Sequence, residues 1–223
     1  DKRKLTAVVY LDMSKAFDSI NHGILLRKLK AIGLAPSTIS WFNSYLSQRS
    51  QVVRINAELS DALPVMCGVP QGSVLGALLF SIYVNDLPAV SEVCSTTCYV
   101  DDTKLILSFT VDESHATEDK INADLQRIRD WCFENYLLLN PDKTKLMVFG
   151  SRQMICKLPS FKLSFLGKEL LPTDSVKDLG VIFDPTLSFD SHITALAATC
   201  ISRLDQINRA KHAFNPNLLV NII

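Results

Sequence analysis

The stretch CYVDDTKLILSF, Cys98 to Phe109, sets two adjacent carboxylates, Asp101 and Asp102, into an otherwise apolar, strand-like segment. Neighbours on a strand point to opposite faces, so a continuous strand would drive one of these charges into a core. A hairpin with the pair at its tip leaves both charges accessible. A third acid ends another strand. LTAVVYLDM, Leu5 to Met13, is β-branched and apolar and reads as a buried strand closing on Asp12. Antiparallel strands could bring Asp12 next to the pair.

The remaining segments mix helices and strands. HGILLRKLKAIGL carries Ile24, Leu25, Leu29 and Ile32 at helical spacing. APSTISWFNSYLSQR opens on Pro36 and Ser37 and shows an Ile39, Phe42, Tyr45 and Leu46 face. Residues 50–70 read as extended. QGSVLGALLFSIYVNDLP is apolar nearly all round and predicts a buried helix stopped before Pro88. Ser114 to Leu138 predicts a helix with Ile121, Leu125, Ile128 and Trp131 on one stripe. TKLMVFGS predicts a strand; FKLSFLGKELLP and SVKDLGVIFD predict two more, separated by PTDS. A last helix is predicted from Leu187 to Phe214. The order lacks the regular alternation of a doubly wound sheet and favours α+β with an antiparallel sheet.

The 223 residues, 48% hydrophobic and 21% charged, suit a globular fold. A chain of this size buries about 70% of its unfolded surface, enough for a core without staples. The 23 basic and 23 acidic residues cancel. A neutral balance disfavours a nucleic-acid binder, though it does not report distribution. Lys2, Arg3 and Lys4, then Arg27, Lys28 and Lys30, then Lys143, Lys145, Arg152 and Lys157 form basic clusters that read first as solvated faces. The six cysteines show no zinc spacing or disulfide framework, and predict reduced, mostly buried thiols in an intracellular protein. The apolar run Val74 to Val84 is shorter than the ~20 residues of a membrane span. No membrane association is expected. The chain opens without Met on a strand already under way, as if cut from a longer polypeptide.

Clustered carboxylates repel one another unless a cation or a proton intervenes. Hard oxygen ligands suit Mg²⁺, and two such ions form the clamp used in phosphoryl transfer. The competing reading is local. Asp12 would cap a helix, and Asp101–Asp102 would form an ordinary turn. His22, His115, His192 and His212 share no ligand spacing, and no serine or cysteine nucleophile has an identifiable base.

YLDMSKAFDSINHGILLRKL, GVPQGSVLGALLFSIYVNDLP, YVDDTKL, LNPDKTKLMVFG and VKDLGVIFD follow one another along the chain. Together they resemble the reverse transcriptase domain of non-LTR (LINE-like) retrotransposons. The resemblance implies a polymerase palm whose antiparallel sheet packs on helices, over residues 1–186 with a remnant of fingers. A thumb or connection helix would begin at 187–223, and the fingers would be largely missing. It implies an RNA-directed DNA polymerase using an RNA template, a DNA primer and deoxynucleotides, with two Mg²⁺ ions, or Mn²⁺ in their place. The location implied is the nucleus or cytoplasm.

Residue by residue, the resemblance makes Asp12, Asp101 and Asp102 the metal-holding catalytic acids. Phe17 becomes the gate against a 2′-hydroxyl. Gln71 contacts the incoming nucleotide, with Gly68 and Gly72 allowing close backbone approach. Lys143 approaches the leaving pyrophosphate. Tyr99 lies near the primer terminus with Val100 beside it, and Leu179 and Gly180 sit in a hairpin that forms a primer grip. Val100 and Ala77 depart from the residues common in this class, Ala and Pro. The alternative is a catalytically silent retroelement remnant that only binds nucleic acid or protein.

Overall fold

The computed structural model describes residues 4–70 and 72–210. Its centre is a four-stranded antiparallel sheet. The strands are β1 (Leu5–Leu11), β2 (Ser95–Tyr99), β3 (Asp102–Phe109) and β4 (Lys145–Phe149), in spatial order β4-β1-β3-β2. Strand β1 lies in the interior, which explains its apolar run. Its register pairs Leu5 with Phe109, Val9 with Leu105 and Leu11 with Thr103, all buried. The opposite face pairs Tyr10 with Lys104 and Thr6 with Ser108.

Helices cover the first face. They are α1 (His22–Ala31), α2 (Pro36–Leu46), α3 (Val74–Val84) and α4 (Ser114–Glu134). Asn21 caps α1 by accepting the Ile24 amide at 3.0 Å, and Ser73 caps α3 by accepting the Gly76 amide at 3.0 Å. The α4 stripe is Ile121, Leu125, Ile128 and Cys132, all buried, while Trp131 lies at its margin. Tyr83 of α3 joins three elements. Its hydroxyl donates to the Asn135 carbonyl at 2.7 Å and accepts the Asn21 amide at 3.3 Å. Lys28 of α1 donates to the Tyr83 carbonyl and to Asp86 and sits 4.7 Å from the Trp131 ring centroid.

Helix α3 departs from the expectation of complete burial. Leu79, Phe80, Tyr83 and Val84 pack inward, but Val74 and Leu78 are exposed. One face meets the sheet and α1, and the other faces outward. Residues 50–64 are extended as expected and form two short antiparallel pairings, Ser50–Gln51 with Leu63–Pro64 and Arg54–Ile55 with Glu58–Leu59.

Beyond β4 come one helical turn, α5 (Arg152–Ile155), and two hairpins. The first joins β5 (Leu163–Phe165) to β6 (Lys168–Leu170), and the second joins β7 (Val176–Asp178) to β8 (Val181–Phe183). The residues alone predict one strand for each, while the resemblance implies a hairpin at Leu179–Gly180. Each reverses at a Leu-Gly pair with positive φ at both residues. Helix α6 (Asp190–Ala210) follows; the predicted extension to Phe214 lies outside the described residues. All six cysteines are free, but Cys67, Cys156 and Cys200 are exposed, correcting the expectation of mostly buried thiols. Cys67 and Cys156 lie outside the core elements, and Cys200 lies on α6, whose side chains are largely exposed. Among the described residues, no helix is long and apolar enough to cross a membrane.

Candidate active site

The register of the central sheet brings the acids together. β1 ends at Leu11 opposite Thr103, so Asp12 follows β1 just where Asp102 opens β3. The β2–β3 turn is two residues, Val100 and Asp101, with Tyr99 pairing Asp102 across it. The pair therefore straddles the tip, with Asp101 in the turn and Asp102 on the strand. Val100 holds φ 57°, a conformation that a β-branched residue adopts only under constraint from its surroundings.

Asp12 and Asp102 open on one cavity of about 380 Å³ together with Lys104, Lys143 and Asp178. Asp101 lines a neighbouring cavity of about 400 Å³ with Phe17 and Gly72. The Asp12 backbone is fixed by the Asn140 amide, which donates to its carbonyl at 2.9 Å. Asp12 Oδ2 is buried and accepts no hydrogen bond. Lys143 Nζ stands 3.8 Å from it, an ion pair beyond hydrogen-bond reach. Burial, then Asp101 and Asp178, raise the Asp102 carboxyl above its ordinary value; Lys104 pulls it back down, and Asp12 adds to the rise. Repelling hard-oxygen donors, one with an orphaned buried oxygen, fit a divalent cation. Among the described residues, no three Asp, Glu, His or Cys groups already converge as a metal cluster. Asp12 and Asp102 share a cavity, and Asp101 stands across the turn.

The second cavity is built from the turn after Asp12. Phe17 is half-buried and stacks on Phe80 with ring centroids 4.7 Å apart. The Gly68 segment docks on this turn, with the Gly68 amide donating to Ile20 at 2.8 Å and the Val69 amide to Phe17 at 2.9 Å. Gly72 holds φ 76°. Gln71 lies outside the described residues. Tyr99 is exposed at the hairpin, opposite Asp102. Leu179 and Gly180 form the β7–β8 tip, with φ 44° and 87°.

The sequence reading missed Lys104 and Asp178. Lys104 Nζ and Asp178 Oδ2 are 2.5 Å apart, and Lys104 lies 5.9 Å from the Tyr10 ring centroid. The Tyr10 hydroxyl is pushed up to about 12 by burial and by Asp178. Period-two alternation along β3 was the available signal for Lys104, since it shares a face with Asp102. Asp178 is distant in sequence and had no such signal.

The chain is similar to known proteins. The family model for reverse transcriptase (RNA-dependent DNA polymerase) matches residues 1–183. A probable RNA-directed DNA polymerase from transposon BS of Drosophila melanogaster is 30% identical over 93% of this chain and 23% of its own length. The RNA-directed DNA polymerase from mobile element jockey of Drosophila funebris is also 30% identical, over the same two shares. The chain thus spans about a quarter of the curated relatives it matches. Apo telomerase from Candida tropicalis, truncated from its C-terminal domain, superposes with a TM-score of 0.54 at 14% identity, over 83% of this chain and 35% of that one. At that identity the likeness concerns the fold. The motif order, the sheet that pairs β1 with the acidic hairpin and the match over residues 1–183 agree: the chain belongs to the reverse transcriptase family.

Proposed function

We propose that this chain is the catalytic core of an RNA-directed DNA polymerase, acting inside the cell, in the nucleus or cytoplasm, on an RNA template and a DNA primer. The observation that carries this reading is the shared cavity of Asp12 and Asp102, with its orphaned Asp12 oxygen and Lys143 close by. The transposon relatives are named as RNA-directed DNA polymerases, which supports a nucleic-acid template.

Asp12, Asp102 and Asp101 would hold two divalent ions, Mg²⁺ or Mn²⁺. Such ions, when bound, polarise the attacking 3′-hydroxyl and stabilise the leaving pyrophosphate. The chain's own side chains do the rest. Phe17, braced by Phe80, sets a rigid ring in the cavity beside Asp101, where a 2′-hydroxyl would collide with it. Gly72 presents backbone without a side chain, and Gln71 contacts the nucleotide. Lys143 neutralises or protonates the departing pyrophosphate. Tyr99 and the Leu179–Gly180 tip support the primer end.

The test is primer extension on a poly-rA template with Mg²⁺, using the full-length polypeptide. Asp101→Asn is expected to lower extension at least ~100-fold, the scale of a lost electrostatic stabiliser. Equal extension by both proteins would remove Asp101 from catalysis. A wild-type protein that binds template and primer but never extends would favour the silent-remnant reading.

A further inference from the structure

The acidic hairpin β2–β3 and the β7–β8 hairpin belong to separate sheets. No strand of the central sheet pairs with β7 or β8 among the described residues. Backbone bonds anchor the two flanks of the β7–β8 hairpin, from the Thr173 amide to the Leu146 carbonyl at 2.8 Å and from the Gly150 amide to the Pro185 carbonyl at 3.0 Å, and the link at its tip is a side-chain one. At the tip end, Lys104 reaches from β3 to Asp178, the last residue of β7 before the Leu179–Gly180 turn. Lys104 lies two residues beyond Asp102, on the same face of the strand. At the other end of the hairpin, Phe183 meets Phe149 of β4 edge-on, with centroids 6.4 Å apart.

We infer that Lys104 and Asp178 are positioning residues, an ion pair that holds the β7–β8 tip at a set distance from Asp102 and so aligns the primer end with the catalytic acids. The inference rests on the polymerase reading above. The Lys104 and Asp178 side chains are only 18% and 12% exposed, so the pair is shielded from solvent and salt. A surface pair would hold its partners loosely, whereas a shielded pair leaves an uncompensated charge when either partner is removed. The Tyr10 ring beside Lys104 narrows the paths open to its ammonium. The geometry is demanding because a reacting end displaced by about 1 Å can lose up to ~100-fold in rate.

The experiment is a double-mutant cycle on the full-length polypeptide. Wild type, Lys104→Gln, Asp178→Asn and the double variant are compared by single-turnover extension from a paired primer. Each single variant is expected to fall about 10-fold, and the double variant also about 10-fold, because the two changes remove one contact. KM for the deoxynucleotide and the Mg²⁺ midpoint should stay within about 3-fold, and Lys104→Arg should recover most of the rate. A product of about 100-fold in the double variant would overturn the inference, as would single variants at the wild-type rate. If a single variant does not fold, the double variant decides, since it leaves no unpaired charge. A folded double variant at the wild-type rate refutes the positioning role. Asp101→Asn runs alongside. Its loss of extension with normal Lys104 and Asp178 variants would sink this inference alone, and a wild-type protein that never extends the primer would sink both.

Discussion

Lys143 Nζ lies 3.8 Å from Asp12 Oδ2, and the Asn140 amide, three residues before Lys143, holds the Asp12 carbonyl at 2.9 Å. One short segment thus fixes the backbone of the first acid and sends a cation toward its carboxylate. The lysine is largely exposed, so it is free to turn toward a departing anion. Lys143→Met should lower the extension rate about 100-fold or more, within the usual range for a general acid, with KM for the nucleotide changed far less. Lys143→Arg should recover part of the loss. Steady-state extension kinetics on all three proteins check this, and an unchanged rate in Lys143→Met would make the lysine a mere neighbour.

The orphaned Asp12 oxygen leads to a binding prediction that needs no nucleic acid. Mg²⁺ alone should raise the thermal midpoint of the folded protein in a saturable way. At a hundredfold excess over its dissociation constant, the gain is about 2.7 kcal/mol. Mn²⁺ should act similarly. Asp12→Asn and Asp102→Asn relieve carboxylate repulsion, so their metal-free midpoints should be no lower than wild type, and the Mg²⁺ shift should vanish. Equal shifts in all three proteins would locate the ion elsewhere.

The strands that carry the acids were legible because their signals are local. An apolar β-branched run and a charged tip define β1 and the β2–β3 hairpin without reference to anything distant. The turns were legible only where polar residues mark them. At Leu166–Gly167 and Leu179–Gly180 an apolar residue occupies a left-handed position, with φ of 49° and 44° at the leucines. A leucine there looks like strand, so the residues alone read as one strand in each hairpin, and only the family resemblance marks the turn at Leu179–Gly180. Helix α3 misled for a related reason, since composition cannot distinguish an apolar face that packs from one that stays exposed. The Lys104–Asp178 pair joins positions 74 apart, and only the docking of the second hairpin brings them together.

Phe17 stacks on Phe80 at an interplanar angle of 25°, which fixes the ring in the cavity shared with Asp101. Phe17→Val should shorten the side chain and open space beneath a ribose. The preference for a deoxynucleotide over its ribonucleotide counterpart should fall about 10-fold or more. The measurement is kcat/KM for the two forms of one nucleotide. The same change should cost about 1–3 kcal/mol of stability through lost ring packing. An unchanged preference with that stability loss would make Phe17 a packing residue only.

Gly68 faces the backbone of the turn after Asp12. A Cβ at this position would come within 2.9 Å of the Asp18 Cα and carbonyl oxygen, and the residue holds φ 86°. Neither backbone can yield cheaply, so Gly68→Ala combines a steric clash with a disfavoured conformation. A loss of about 2 kcal/mol or more is expected in denaturant unfolding. Extension should fall with it, because the segment that bears Gly72 is held to Phe17 and Ile20 through this contact. Gly72→Ala meets no atom within 4 Å and carries only the conformational strain, so its stability loss should be smaller. Equal losses at the two glycines would refute close packing as the cause.

Asp124 supports the catalytic hairpin from behind. Its fully buried carboxylate accepts the backbone amides of Glu92, Val93 and Cys94 at 3.0, 3.0 and 2.7 Å, and Arg127 donates to it at 2.8 Å. These bonds tie the residues leading into β2 to α4. Burial pushes the carboxyl up, but the three amide bonds outweigh it and hold Asp124 below its ordinary value. The unfolded chain takes up the proton near pH ~3.9, and the folded chain only at lower pH. The stability from this carboxylate is therefore fully present above the unfolded value and is lost as pH falls through the folded one. Asp124→Asn replaces an acceptor oxygen by a donor facing other donors and should cost about 1–3 kcal/mol at pH 7. The gap between wild type and variant should narrow below about pH 4 as the wild-type carboxylate is protonated. Urea unfolding of both proteins from pH 7 down to the acid limb measures that gap. A gap that stays constant across the whole range would show that the charge on Asp124 is not what anchors this segment.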